Sequence, residues 1–220
     1  MDALDEIALR KIYEVDRDAL AGFTCGRDEL DQFLTQEAHD YSDHGLTETV
    51  VAFTGSDASP AAFFSLSADG LKLEQSEQFE LGLPFDCPIL YLPAVKITKL
   101  AVRGDVQSSG LGATLIKIIE GLAFNGSVAV RLLTVDAVNN PRAIDFYQRH
   151  GFKTSMRHDI RQKRVKKNQR GEQVPPASEP ETVLMYRDLY APEEATPPAS
   201  LWPRVPADQI LRDEQADPAA

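Results

Sequence analysis

The chain has 220 residues, 43% hydrophobic and 26% charged, with a formal net charge of −11. That is ordinary for a soluble globular protein with one mid-sized core plus extensions, and the acidic balance argues against a nucleic-acid partner for the chain as a whole. No apolar run reaches the roughly 18 residues of a membrane span. The opening Met1-Asp2-Ala3-Leu4-Asp5-Glu6 is acidic and lacks a leader core, so no membrane partner and a cytoplasmic location are expected.

In chain order, Ile7 to Val15 reads as an opening strand with Ile7, Leu9 and Ile12 inward. A helix follows Phe23-Thr24-Cys25-Gly26, with Leu30, Phe33, Leu34 and Ala38 as one apolar stripe. Thr47–Phe53 and Ala61–Ala68 are β-rich and flank a Gly55-to-Pro60 turn cluster, which predicts a hairpin. Between residues 71 and 92, Gly82, Pro84, Pro88 and Pro93 leave room for at most one short helix. Strand 95–102, helix 110–123, strand 128–135 and helix 140–149 then alternate, implying a right-handed crossover and a locally parallel pair. Gly151–Met156 and Thr182–Leu189 are the last predicted strands, and after Tyr190 the composition turns to Pro, Ala and Glu, like a tail.

The most informative stretch is Gln107-Ser108-Ser109-Gly110-Leu111-Gly112, between a predicted strand and a predicted helix. Glycines at such a turn let backbone N–H groups approach a ligand, and the helix start adds partial positive charge, an arrangement that binds phosphate. No Lys-Ser/Thr pair follows Gly104 and Gly110, so this is not a Walker A loop, and the spacing fails the dinucleotide fingerprint. Downstream, Asn140-Pro141-Arg142-Ala143-Ile144-Asp145-Phe146-Tyr147-Gln148-Arg149-His150-Gly151-Phe152 reads as a short helix entering a strand.

Together the two blocks resemble the GNAT (Gcn5-related) N-acetyltransferases, matching at Gln107, Gly110, Gly112, Asn140, Ala143, Phe146, Tyr147, Gly151 and Phe152. The opening Phe23-x-Cys25-Gly26-x-x-x-Leu30-x-x-Phe33-Leu34 is similar to a subgroup that includes the acetyltransferase toxins of toxin–antitoxin systems. The resemblance implies an α/β (α+β) GNAT fold: a mixed sheet of about six to seven strands with a V-shaped splay and flanking helices. It covers about residues 6–156 and 181–190, so residues 1–190 are expected to form the domain and 191–220 an acidic tail. The 157–180 insertion departs from the compact toxins, whose final hairpin is short.

The resemblance also implies acetyl-CoA as cosubstrate. Backbone N–H groups from Gln107, Ser108, Ser109, Gly110, Leu111, Gly112 and Ala113 would hold its pyrophosphate, with a Cβ at 110 or 112 expected to collide with phosphate oxygens or turn the N–H groups away. Leu100, Ala101 and Val102 would pair with pantetheine like another strand beside a β-bulge. An N–H near Val102 would meet the oxyanion, and Tyr147 matches the family's general acid for the leaving thiolate. Asn140 either contacts CoA or caps the helix ahead of Pro141. The general base is not identifiable, with Asp136, Glu48 and Glu74 all carrying suitable chemistry. His150 reads as structural or exposed. Cys25 and Cys87 lie outside any Cys-x-x-Cys pattern and read as reduced packing residues, and the four scattered histidines give no metal site.

The expected activity is acetyl transfer to a primary amine borne by a small molecule, a protein or an aminoacyl-tRNA; a toxin acting on aminoacyl-tRNA is the sharpest variant. The non-enzyme alternative is an acyl-CoA-binding regulator. An antitoxin and a second copy of the chain remain open as partners. The basic run Arg157, Arg161, Lys163, Arg164, Lys166, Lys167 and Arg170 stands against the acidic tail and is where an anionic partner would dock first.

Overall fold

A computed structural model describes residues 7–55, 59–83, 85–156 and 181–190. The basic run and the acidic tail, and the expectations attached to them, lie outside the described residues. The elements run β1 (Ile7–Lys11), α1 (Arg17–Leu20), α2 (Asp28–Gln32), α3 (Ala38–Asp43), β2 (Glu48–Thr54), β3 (Ala62–Leu71) and α4 (Gln75–Glu80). Then come β4 (Leu92–Val102), α5 (Leu111–Asn125), β5 (Leu132–Val138), α6 (Pro141–Arg149), β6 (Lys153–Thr154) and β7 (Thr182–Asp188). The strands form one sheet in the order β1-β2-β3-β4-β5-β7-β6, within the six to seven strands expected. Only β4 and β5 run parallel, as the β-α-β alternation requires.

Three apolar clusters hold the layers together. On one face, Leu115, Ile116 and Ile119 of α5 pack on Phe64, Ile97 and Val135, joined by Tyr147 and Phe152. On the other, Phe33 and Leu34 cover Val51, Phe63 and Ala101 near one end of β4, while Leu73 and Leu81 cover Leu92 and Leu132 near the other. The predicted stripe on the 28–43 segment is buried at Phe33, Leu34 and Ala38, although a π-helical turn at Phe33–Glu37 interrupts it. Glu77 is 3% exposed and tolerable there, because its two oxygens accept from the Glu74 and Met156 N–H groups, each at 2.8 Å.

Three expectations need correction. The opening strand ends at Lys11, where the Glu14 carboxylate accepts the Lys11 N–H at 3.0 Å and a 3-10 turn begins. Ile12 is buried from that turn, whereas Leu9, on an edge strand, is 36% exposed. The predicted 128–135 strand starts only at Leu132, and Val128 is exposed. Of the predicted Gly151–Met156 strand only Lys153–Thr154 is regular, with Ser155 N–H donating to the Leu184 carbonyl at 3.0 Å just beyond.

The sheet opens between β4 and β5. Their pairing covers only Ala94–Ile97 against Leu132–Val135, so Thr98–Val102 and Asp136–Val138 diverge as the two limbs of a V. The cause is visible on the other edge of β4. Leu66 pairs with Ile97 and Ser65 with Lys99, leaving Thr98 as an extra residue. Its hydroxyl donates to the Ser65 carbonyl at 3.0 Å and fixes the bulge. A bulge bends the strand and increases its twist, which turns the end of β4 away from β5.

Candidate acetyl-CoA site

The limb Thr98–Val102 presents backbone groups to the opening. Arg103 N–H donates to the Ala61 carbonyl at 2.8 Å, in register with the pairs Ala62–Val102, Phe63–Ala101 and Phe64–Leu100. Successive residues of a strand point their N–H and C=O groups to opposite edges. Ala101 therefore bonds β3, while Leu100 and Val102 turn theirs toward the splay. The sequence expectation of all three residues pairing with pantetheine is corrected at Ala101, whose polar groups are used and whose side chain is buried.

The Gln107 side chain fastens the start of the turn. Its amide nitrogen donates to the Cys25 carbonyl at 2.9 Å and to the Val102 carbonyl at 3.0 Å. It ties the loop before α2 to the end of β4, leaving the Val102 N–H facing the opening. That loop is itself pinned by Asp31, which accepts from Thr24 Oγ1 and from the Cys25 N–H, each at 2.8 Å. Burial first, then the Asp31 contact, pushes the Cys25 thiol up to about 11, so it is a poor nucleophile.

Beyond Gln107 the backbone turns sharply. Ser108 has φ 66 and Gly110 has φ 91, both in the left-handed region. Alternation of this kind makes a concave array of N–H groups. Gly110 is the residue ahead of α5, and no side chain caps that helix. Ser109 Oγ donates to the Val106 carbonyl at 2.7 Å and receives only a long contact, 3.4 Å, from the Leu111 N–H. The first intrahelical bond is Thr114 N–H to the Gly110 carbonyl at 3.1 Å, so the N–H groups of Gly112 and Ala113 lie ahead of the ladder. Leu111 contributes only backbone, its side chain being buried.

Within the protein itself the two glycines meet different surroundings. A Cβ on Gly110 would meet nothing within 4 Å, and φ alone demands glycine there. A Cβ on Gly112 would reach Phe146 Cε2 at 3.4 Å and Val102 Cγ2 at 3.8 Å. The first turn of α5 therefore lies beside α6, which carries Tyr147.

On α6, Asn140 Oδ1 accepts the Ala143 N–H at 2.8 Å, with Pro141 in the first turn. Of the two roles left open for Asn140, capping is the one its oxygen performs. Tyr147 is 8% exposed, its ring edge-on to Phe146 at 5.2 Å and Phe152 at 5.3 Å. Burial raises its phenol above the ordinary value, so it stays protonated at neutral pH and is available as a donor. His150 is pushed down by burial and by nearby Arg187, Arg149 and Lys117, and its ring contacts Phe146 at 4.8 Å.

The three acidic candidates are dispersed. Asp136, on the β5 limb, pairs with Lys96; Glu48 lies 3.4 Å from Lys11; Glu74 opens α4. Arg103, the cation preceding the turn, is held by Asp105 at 2.7 and 3.0 Å. Among the described residues no group of three His, Cys, Asp or Glu side chains could hold a metal ion, and no helix is long and apolar enough to cross a membrane.

The resemblance implied a β-bulge beside Leu100–Val102, and the structure shows one with Thr98 as the extra residue. Its signal is there: Val95 and Ile97 are the inward residues before it, Leu100 and Val102 after it, an apolar alternation that slips by one at Thr98.

Residues 81–154 match the family model described as an acetyltransferase (GNAT) domain. A tyrosine-to-phenylalanine mutant of KacT is similar in structure, with TM-score 0.59 and 19% identity over 84% of this chain and 96% of that one. A mutant AtaT toxin bound to acetyl-CoA and the C-terminus of the antitoxin AtaR aligns with TM-score 0.54 and 19% identity, over 84% and 94% of the two chains. AtaT complexed with acetyl-methionyl-tRNAfMet aligns with TM-score 0.55 and 18% identity, over 82% and 94%. At these identities the likeness is one of fold. The family match covers β4, α5, β5, α6 and β6, the part of the chain that contains the splay, and the aligned structures share the fold around it.

Proposed function

We propose that the chain binds acetyl-CoA in the splay and transfers its acetyl group to a primary amine. One observation carries this reading: the Leu100 and Val102 backbone groups face an opening in the sheet that leads to the uncapped start of α5. The pyrophosphate lies on the N–H groups of the 108–113 turn, chiefly those of Gly112 and Ala113. Pantetheine runs along β4 as an additional strand, bonded to Leu100 and Val102. The thioester then sits near the bulge, where β4 and β5 rejoin. As the amine attacks the thioester carbon, charge develops on its oxygen and the Val102 N–H is the donor at hand. Collapse of that intermediate expels the CoA thiolate, and Tyr147 supplies its proton.

The binding step is tested by calorimetry on Gly112→Asp. An acidic residue is acceptable in the first turn of a helix, so the fold should persist. Two like charges about 4 Å apart at an effective dielectric near 20 repel by about 4 kcal/mol, so acetyl-CoA affinity should fall at least roughly a hundredfold. Unchanged affinity would remove the pyrophosphate from this turn.

A second, sharper reading is that the amine belongs to an aminoacyl-tRNA and that an antitoxin partners the chain. The AtaT complexes with acetyl-methionyl-tRNAfMet and with AtaR favour it. The chemistry agrees: an α-amino group of pKa about 7.7–8.0 is already partly neutral and needs little help from a base, unlike a lysine near 10.4. Acetyl transfer to charged tRNA, compared with peptides and polyamines, tests it.

A further inference from the structure

The last turn of α5 roofs a cavity of about 370 Å³, away from the turn at the start of that helix. Its floor comes from three neighbouring strands. Glu48 on β2 pairs with Leu66 on β3, and Ala68 pairs with Val95 on β4. Alternation along the strands puts these four side chains on one face, and Leu66 and Val95 pack with the α5 cluster, so it is the α5 face. Leu122 and Ala123 close the top, and the loop from Ser42 to Thr47 makes the wall. The splay opens along the opposite edge of β4, between it and β5.

The lining has a definite charge preference. Thr47 Oγ1 and Glu48 Oε1 are both buried, and neither has a hydrogen-bond partner among the described residues. The rest of the Glu48 side chain reaches solvent, 44% of it being exposed. Lys11 Nζ lies 3.4 Å from Glu48 Oε1, an ion pair without hydrogen-bond alignment. That nitrogen is also 5.6 Å from the Tyr13 ring centroid, and neither Lys11 nor Tyr13 lines the cavity. A buried acceptor left unpaired is costly, and a ligand that donates to it recovers the cost. Two helices also end here, α3 at Ser42 and Asp43 and α5 just past Ala123, and helix C-termini carry partial negative charge. Neither has a basic residue in its last turn to offset that charge.

We propose that this cavity binds a compact primary ammonium. Its nitrogen donates to Glu48 Oε1 and Thr47 Oγ1, and its short aliphatic chain lies against Leu66, Val95 and Leu122. An anion of the same shape is rejected, because it brings further acceptors to a carboxylate oxygen that already lacks a donor. Binding here is independent of the splay and of what the splay holds.

The test titrates the full chain with n-hexylammonium and n-hexanoate and follows backbone amide shifts by NMR. Hexylammonium should bind saturably with a roughly millimolar Kd, as suits a fragment of this size. The largest shifts should fall at Leu46, Thr47, Ala68 and Leu122, and hexanoate should produce none. Glu48→Gln should weaken binding roughly tenfold, as for loss of a charged hydrogen bond, whereas Lys11→Gln, which leaves Glu48 unpaired, should tighten it. Ala68→Phe, at an exposed position of β3, should fill the cavity and abolish binding with the fold retained. Saturating acetyl-CoA should leave the hexylammonium Kd unchanged. Equal binding of hexanoate, or unchanged affinity in Glu48→Gln, would overturn the proposal. So would the absence of any saturable shift, which would make the cavity a water-filled recess only. Displacement of hexylammonium by acetyl-CoA would place the ammonium in the splay and overturn it as well.

Discussion

Gly110 and Gly112 sit two residues apart in one turn, yet alanine at each should act in opposite directions. Gly110 has φ 91, and a Cβ there meets no neighbour within 4 Å, so the whole cost of Gly110→Ala is conformational. Holding an L-residue in the left-handed region costs about 1–2 kcal/mol. Gly112 has helical backbone, and its added Cβ would touch the Phe146 ring at 3.4 Å, contact without overlap. Alanine is favoured over glycine inside a helix by about 0.5–1 kcal/mol, so Gly112→Ala should be neutral or slightly stabilising. At about 2–4 °C per kcal/mol for a chain of this size, Gly110→Ala should lower Tm by roughly 2–8 °C and Gly112→Ala should leave it level or raise it by up to about 4 °C. Thermal unfolding followed by circular dichroism, without and with acetyl-CoA, reads both. Two equal losses would show that Gly112 is required by close packing on α6; no loss at Gly110 would mean the turn does not hold its left-handed conformation.

Tyr147→Phe should leave the fold and acetyl-CoA affinity intact while kcat falls roughly 10²-fold, the span typical of one general acid; an unaltered kcat with a competent amine would make Tyr147 a packing residue. Asn140→Ala removes the cap on α6 and should cost about 0.5–2 kcal/mol in denaturant unfolding. Acetyl-CoA affinity measured by calorimetry should not follow, and a parallel loss would restore Asn140 as a cofactor contact. In a Cys87→Ser background, alkylation of Cys25 should climb with pH through 9 and level off only near 11. Because burial favours the neutral thiol in the folded chain, the stability this confers is present below the unfolded thiol value and is lost as pH rises toward 11. A plateau near the free-thiol value, about 8.5, would show that Asp31 and burial do not shield this residue.

The order of elements from β2 to β7, the hairpin and the glycine-containing turn ahead of α5 were legible in the amino-acid sequence. They depend on local signals: apolar alternation, glycine and proline placement, and the Asn140-Pro141 helix start. Those signals act over a few residues and survive in any context. What lies at the splay is of another kind. The Thr98 bulge exists because β4 takes its register from β3, some thirty residues earlier, and that register decides that Lys96 and Lys99 share a face. That Ala101 is spent on β3 while Leu100 and Val102 turn their backbone groups to the other edge follows from the same register. Gln107 ties a loop to the end of β4 through carbonyls 82 and 5 residues away in sequence, and Gly112 lies against the ring of Phe146 on another helix. The sequence by itself determined which residues could turn, cap and alternate; tertiary structure decided which polar groups remained unspent at the opening. Hydrogen bonds between strands are satisfied pairwise across the sheet, and no run of neighbouring residues encodes which edge will be left open.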